Sequence, residues 1–343
     1  MDDGHCRQFD TILFDLDGVI TGEYAYWKAA ALTVYEYFYE DLDLNSEYCY
    51  ENADAILNRV FSYHDTIVTM KSLGINSNWD LAYAVVMVID ILKSEGLEEE
   101  EVFSSVSDFL MEKNLLAPEL LDVLAQEYEE IFNYPEGYAQ KGNTFYQKIV
   151  RHFQHWYLGD DGYFKQYGEH PAVLKGNGGL LDSEEPLLGL SETKELLSSL
   201  KNGGYHLGIG SGRPRAELER PLSNWGVLSL FDPERIVGYD DVLLWQEKTK
   251  SKEKLVKPHP FQFLKGAMGE SFLPSHLTDM PDCSRVLVVG DALCDLLAAH
   301  AAGCRFCAVL TGVDGKDARV FFENMGADYI LEDATDLPGL LLK

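Results

Sequence analysis

The sequence predicts an α/β protein: a doubly wound parallel sheet with a large α-helical domain inserted into it. Three observations lead there. A short apolar run rich in β-forming residues, FDTILFDL at 9–16, stands alone near the start and ends in acids. Residues 22–190 follow, with long segments apolar at helical spacing and few strand signals. From 191 onward, strand-like and helix-like segments alternate, which implies a parallel sheet with helices on both faces.

The run at 9–16 reads as a buried strand whose carboxyl end carries Asp15 and Asp17. It has no strand partner nearby in sequence, so it joins the sheet formed by the later strands. Residues 1–21 and 191–343 then form the α/β domain, and 22–190 the helical one. Helices are expected over 23–40, 51–71, 79–94, 98–113, 117–132 and 144–157. The segment KGNGGLLDSEEP, rich in Gly and acids, suits a hinge on the way back to the sheet. SETKELLSSLKNGG has a Ser start and a Gly-Gly stop, the end signals of a helix. YHLGIGSG reads as a strand, RPRAELERPLSNWG as a helix, RIVGYDD as a strand and KPHPFQFLKGAMG as a helix. VLVVGDALCDLLAAHAAG gives a strand, an acidic turn and a helix; CRFCAVLTG a strand; ARVFFENMGA a helix; DYILED a short strand.

Bulk properties narrow the partners. With 343 residues, 46% of them hydrophobic, the chain can bury a sizeable core and suits two domains. A net charge of -29 repels nucleic acid and anionic membrane surfaces. The most apolar run, LAYAVVMVIDIL at 81–92, is too short to span a bilayer and contains Asp90, so it reads as a buried helix. The first residues carry acids where a secretion signal has basic residues. Cys304 and Cys307 form a lone CxxC leading into an apolar run and read as two reduced thiols. The expectation is a reduced, cytoplasmic protein with a small phosphorylated partner; the sequence leaves a homodimer open.

The phosphorylated partner follows from four segments. Parallel sheets bind ligands at the carboxyl ends of their strands, and four such ends here carry polar residues. In DLDGVI, Asp15 suits attack on phosphorus and Asp17 proton transfer to and from the ester oxygen, while Gly18 permits a tight turn. The same spacing also occurs in turns and calcium loops, but the residues that follow do not supply an EF-hand's ligands in order. In GIGSGRP, the Ser211 hydroxyl and the Gly212 amide suit an anion; alternatively Ser211 only caps a helix. Arg213 is a further candidate for phosphate or substrate, or a surface residue. Lys257 of KPHP suits neutralising a phosphate beside Asp15, or is an exposed lysine ahead of a helix. In GDALCD, Asp291 and Asp295 suit one Mg2+, or each stabilises a helix N-terminus. Taken singly, each alternative is ordinary; in this order at four strand ends, their coincidence is improbable.

The order of motifs closely resembles the haloacid dehalogenase superfamily, in which DLDGVI, GSG, the lysine of KPHP and GDALCD match the four signature motifs. The resemblance covers about 1–22 and 191–343. It implies a HAD-like core with a helical cap inserted after the first motif, as in phosphoglycolate-type phosphatases, phosphosugar mutases, phosphonate hydrolases and dehalogenases. It makes Asp15 the nucleophile and Asp17 the acid–base. Ser211 binds the phosphoryl group, Lys257 holds it together with Asp15, and Asp291 and Asp295 hold magnesium with Asp15. The backbone carbonyl of Asp17 completes the protein's share of the metal shell. The presence of Asp17 argues against a dehalogenase, whose members lack the second acid. The insertion is longer than the usual cap of this kind.

The expected activity is therefore a Mg-dependent phosphatase acting on a small phosphorylated metabolite through an aspartyl phosphate. A mutase-type phosphotransferase using the same residues, or a protein that only binds a phosphorylated ligand, are the alternatives. Glu23 and Tyr24, directly after the first motif, are candidate substrate contacts; Tyr26 and Trp27 read as packing residues. The aromatic, polar stretch 155–167, with His155 and Lys165, reads as a helix end and surface loop, or as a specificity loop. Asp240 and Asp241 either face the site or lie in a solvated turn.

Overall fold

The structure, a computed structural model, describes residues 7–39, 46–75, 77–171, 175–176, 178–250, 253–312 and 315–342. The chain divides into two compact units, Met1–Glu23 with Glu184–Lys343, and Tyr24–Ser183.

Strand β1 (Thr11–Phe14) is buried along its whole length and belongs to the first unit. The chain then enters the helical unit. Its helices are α1 (Tyr24–Tyr39), α2 (Ser46–Glu51), α3 (Ala53–Val60), α4 (Asp65–Ser72), α5 (Asn78–Ser94), α6 (Glu99–Val102), α7 (Val106–Glu112), α8 (Glu119–Phe132) and α9 (Thr144–Tyr167). They share one hydrophobic core built on the apolar faces of α1, α5 and α9, including Leu32, Tyr83, Met87 and Phe153. The apolar run 81–92 lies inside α5, where Asp90 accepts the hydroxyls of Tyr37 and Tyr128 at 3.2 and 3.0 Å. Among the described residues no helix is long and apolar enough to cross a membrane.

Three helix expectations need correcting. The single helix expected over 98–113 is two, α6 and α7. Ser104 and Ser105 both donate their hydroxyls to the Glu101 carbonyl, at 2.9 and 3.0 Å, and so offer the backbone a local alternative to helical continuation. The helix expected over 51–71 is interrupted between α3 and α4, where Ser62, Tyr63 and His64 all take positive φ. The stretch 155–167 is not a loop. It continues α9, which breaks only at Gly159 (φ 71°, ψ 178°) and stops at Gly168 in the left-handed conformation usual after a helix.

The chain returns to the α/β unit with α10 (Leu190–Asn202), β2 (His206–Gly210), α11 (Arg215–Asn224), β3 (Ile236–Val237) and α12 (Tyr239–Thr249). It continues with α13 (Phe261–Met268), β4 (Val286–Gly290), α14 (Leu293–Ala301), β5 (Arg305–Val309), α15 (Ala318–Met325), β6 (Tyr329–Leu331) and α16 (Leu337–Leu341). The strands form a parallel sheet in the order β3-β2-β1-β4-β5-β6. In register, Ile12 lies beside Leu207 and Leu287, and Leu13 beside Gly208 and Val288. The side chains of Ile12, Phe14, Leu207 and Val289 pack in one hydrophobic layer. Those of Leu13, Val288, Phe306 and Phe263 pack in a separate layer. That alternation is the period-2 pattern of a sheet covered on both faces.

GYDD, read as the end of a strand, instead opens α12 after a strand of two residues. Asp241 accepts the Gly238 amide (3.1 Å) and Asp240 the Arg215 amide (2.5 Å), so both acids serve backbone N–H groups. Cys304 and Cys307 are buried thiols, and the partner of Cys304 is the thiol of Cys283.

Candidate active site

The strand order reverses at β1, where β2 lies on one side and β4 on the other. Just beyond the carboxyl ends of these strands lie Asp15, Ser211 and Asp291. This is where open parallel sheets form their ligand crevices, because loops leaving neighbouring strands diverge to opposite faces.

Asp15 is fixed first by its backbone, whose N–H donates to the Val289 carbonyl at 2.8 Å and so extends the β1–β4 ladder by one residue. Its side chain is nearly buried, and Oδ1 lies 2.8 Å from Lys257 Nζ. The same ammonium reaches Asp295 Oδ1 at 2.6 Å and the Gly210 carbonyl at 3.2 Å. Lys257 is therefore not an exposed lysine: its three donors are directed at β1, β2 and the helix after β4. Carboxylate oxygens of Asp15, Asp291 and Asp295 all lie within 4.8 Å of one another. The Asp17 side chain is not among these three.

Three carboxylates thus surround one ammonium, and the electrostatics follow. Burial and the charge of Asp295 push the Asp15 carboxyl up to about 7, against the pull of Lys257. Burial, with Asp295 and Asp15 nearby, raises Asp291 well above the carboxylate range, and Glu23 adds to it. Burial alone would lower the Lys257 ammonium, but Asp15 and Asp295 outweigh it and hold it charged. The cluster has an excess of negative charge, which a divalent cation would neutralise.

Two glycines shape the space around Asp291. A β-carbon on Gly18, which has φ +74°, would collide with the Asp291 carboxylate, and so would one on Gly312 in the loop after β5. The Thr311 hydroxyl donates to the Gly18 carbonyl and ties that loop to the turn after Asp15. Sequence reading overlooked Thr311 and Gly312, although a Gly directly past a strand end was a visible signal.

Ser211 is buried. Its N–H donates to the Val237 carbonyl (3.0 Å), its hydroxyl accepts the Arg213 amide (3.2 Å) and its carbonyl accepts Gln262 Nε2 (2.6 Å). It does not cap α11, whose N-cap is Pro214. Gly212 is exposed, and open space begins where its side chain would be. Arg213 is not a surface residue. It is buried, and it pairs with Asp17 through Nε and Nη2 and with Glu184 through Nη1. Glu184 and Thr21, which completes this group, carried no sequence signal apart from their neighbours.

The remaining candidates fall on separate units. Glu23 belongs to the α/β unit. Tyr24 belongs to the helical unit, where its hydroxyl donates to Asp54 (2.8 Å) and Lys28 Nζ sits 4.6 Å from its ring centre. Lys165 is exposed on the last turn of α9. His155 is buried and shares a 2.7 Å hydrogen bond with Asp160.

Residues 9–303 match the family model of the haloacid dehalogenase-like hydrolases. The chain is similar to phosphoglycolate phosphatase of Haemophilus influenzae (strain 86-028NP), 29% identical over 150 residues, which are 43% of this chain and 55% of that protein. It is similarly related to phosphoglycolate phosphatase of Pasteurella multocida (strain Pm70), 27% identical over 150 residues with the same shares. The chain spans about half the length of the curated relatives it matches. An X-ray structure from the Northeast Structural Genomics Consortium superposes with a TM-score of 0.80 at 26% identity, covering 97% of this chain and 98% of that one. With a family match running through most of its length, the chain belongs to the haloacid dehalogenase-like hydrolases.

Proposed function

We propose that this protein is a magnesium-dependent phosphatase that hydrolyses a small phosphorylated metabolite through an aspartyl phosphate on Asp15. The observation that carries this reading is the Asp15–Lys257–Asp295 group with Asp291 beside it. It offers a carboxylate nucleophile, a cation to hold it and an oxygen-only donor set that suits Mg2+.

Asp15, Asp291 and Asp295, with the Asp17 carbonyl, would hold the metal. When bound, magnesium neutralises charge on the phosphoryl oxygens and on these carboxylates. The chain's own groups do the rest. Lys257 and the Ser211–Gly212 turn hold the phosphoryl group in line with Asp15. An Asp15 oxygen forms a bond to phosphorus as the ester P–O bond breaks, and Asp17 gives its proton to the departing oxygen. Water then attacks phosphorus and loses a proton to Asp17. Asp15 leaves with the bonding electrons, and inorganic phosphate is released.

Residues 22–190 are assigned the choice of substrate, since the core motifs are generic to phosphoryl transfer. The relatives' name makes 2-phosphoglycolate the first compound to try. The net charge of -29 favours a compact substrate over a polyanion.

The test is phosphate release from a panel of phosphorylated metabolites. Steady release of inorganic phosphate from at least one monoester is expected, abolished by chelator and restored by Mg2+ but not by Ca2+, whose preference for more ligands disturbs an attacking carboxylate. Turnover that survives exhaustive chelation would refute the metal-dependent reading. A requirement for a bisphosphate activator without net phosphate release would move the protein to the mutases.

A further inference from the structure

We infer that Arg213 is the positioning residue for Asp17, held in turn by Glu184, so that proton transfer depends on an Asp17–Arg213–Glu184 chain whose last two members are buried. The inference rests on the hydrolase reading above and adds to it how the proton donor is aimed.

The geometry is specific. Arg213 Nη2 lies 2.5 Å from Asp17 Oδ1, and Nε lies 3.1 and 3.0 Å from Oδ1 and Oδ2. Thr21, fully buried, accepts from Nη2 at 3.2 Å and donates to Asp17 Oδ1 at 2.9 Å. Oδ1 therefore receives contacts from Nη2, Nε and Thr21, and Oδ2 lies 3.0 Å from Nε. A carboxyl group held on both oxygens by one guanidinium has its plane and direction fixed. A planar guanidinium can do this because its donors are fixed relative to one another, which an ammonium cannot match.

The far side of the guanidinium is equally defined. Nη1 contacts both oxygens of Glu184, at 3.2 and 2.9 Å, and the side chains of Arg213 and Glu184 are each 2% exposed. Asp17 is the solvent-accessible end, at 30%. With a carboxylate on each side, Arg213 is not a lone cation facing Asp17; it orients the carboxyl more than it neutralises it. Glu184 is itself pinned, since its carbonyl accepts Trp225 Nε1 at 3.0 Å. It is also the residue at which the chain re-enters the α/β unit after the helical one. The aim of Asp17 is thus tied to the segment through which the chain returns.

In the reaction, the Asp17 proton passes to the ester oxygen as its bond to phosphorus breaks, and Asp17 regains a proton from the attacking water. A misaimed Asp17 should therefore slow esters with poor leaving groups most, because good ones depart without help.

The test uses the full chain with Mg2+ and two substrates, phenyl phosphate and p-nitrophenyl phosphate, on Arg213→Met, Arg213→Lys, Thr21→Val and Asp17→Asn. For Arg213→Met and Arg213→Lys we expect kcat/KM for phenyl phosphate to fall about 100-fold, with a loss roughly tenfold smaller for p-nitrophenyl phosphate. Inhibition by inorganic phosphate should stay within about threefold of wild type, and Arg213→Met should add little in an Asp17→Asn background. Arg213→Met leaves Glu184 buried without this cation, so Arg213→Met/Glu184→Gln is measured beside it. If the single variant does not fold, that double variant and Thr21→Val carry the same comparison. Equal losses on both substrates, wild-type activity in Arg213→Lys, or phosphate inhibition weakened tenfold would each overturn the inference. Wild-type protein that hydrolyses neither ester, or an Asp15→Asn variant that hydrolyses both, would overturn the hydrolase reading and the inference with it.

Discussion

Asp291 shows how little freedom a residue in this site has. Its carboxylate lies in a slot between Gly18 and Gly312, where either β-carbon would occupy its space. Replacing Gly312 by Ala should push that carboxylate out of reach of Asp15 and Asp295. Groups that orient a metal ligand commonly change affinity by ~10–100-fold when altered. Gly312→Ala is therefore expected to weaken Mg2+ binding by about that factor in a calorimetric titration, with the fold retained by circular dichroism. Unchanged affinity would show that Asp291 does not need the slot.

At the scale of elements, the helical unit carries a buried ionic junction of its own. Glu36 of α1 accepts Trp156 Nε1 (2.7 Å), lies 3.1 Å from His152 Nδ1 of α9, and pairs with Lys175 Nζ at 2.8 Å. Burial opposes the Glu36 charge, but His152 and Lys175 override it and hold the carboxyl down at about 2. Burial pushes the Lys175 ammonium down even though Glu36 supports it, so part of the attraction is offset by desolvation. Because the folded carboxyl titrates below its usual 4.5, its stabilisation is complete above about that pH and is lost as pH falls toward about 2. Glu36→Gln should cost ~3 kcal/mol at neutral pH by leaving Lys175 without its carboxylate, and should flatten the acid limb of the stability profile. Urea unfolding at pH 7 and pH 3.5 reads both. A variant as stable as wild type at pH 7 would mean that the junction contributes nothing.

Over the whole molecule, legibility in the sequence followed from locality. The strand ends were readable because apolar runs of a few residues stop at Asp15, Ser211 and Asp291, and a parallel sheet must bring such ends together. Lys257 was readable only by its place in the order of motifs, since its approach to Asp15 spans most of the chain and that to Asp295 spans 38 residues. The burial of Arg213 was not readable, because its partners Asp17 and Glu184 lie 196 and 29 residues away and no local pattern announces them. The helix break at Ser104–Ser105 and the resumption of helix after Gly159 were hidden for the opposite reason. Each depends on one or two local hydrogen bonds or dihedrals that hydrophobic spacing does not record. The strand expected over RIVGYDD is only two residues long, because Asp241 accepts the Gly238 amide and turns the apparent strand end into the start of α12.

The central claim is that the Asp15 carboxylate receives the phosphoryl group. Its most direct test is phosphate release by Asp15→Asn at saturating substrate and Mg2+, with folding checked by thermal unfolding. The amide preserves shape and removes the nucleophile, so the expected result is a folded protein with no phosphate release above background. Turnover within about tenfold of wild type would contradict the account, because then some group other than Asp15 is attacking phosphorus.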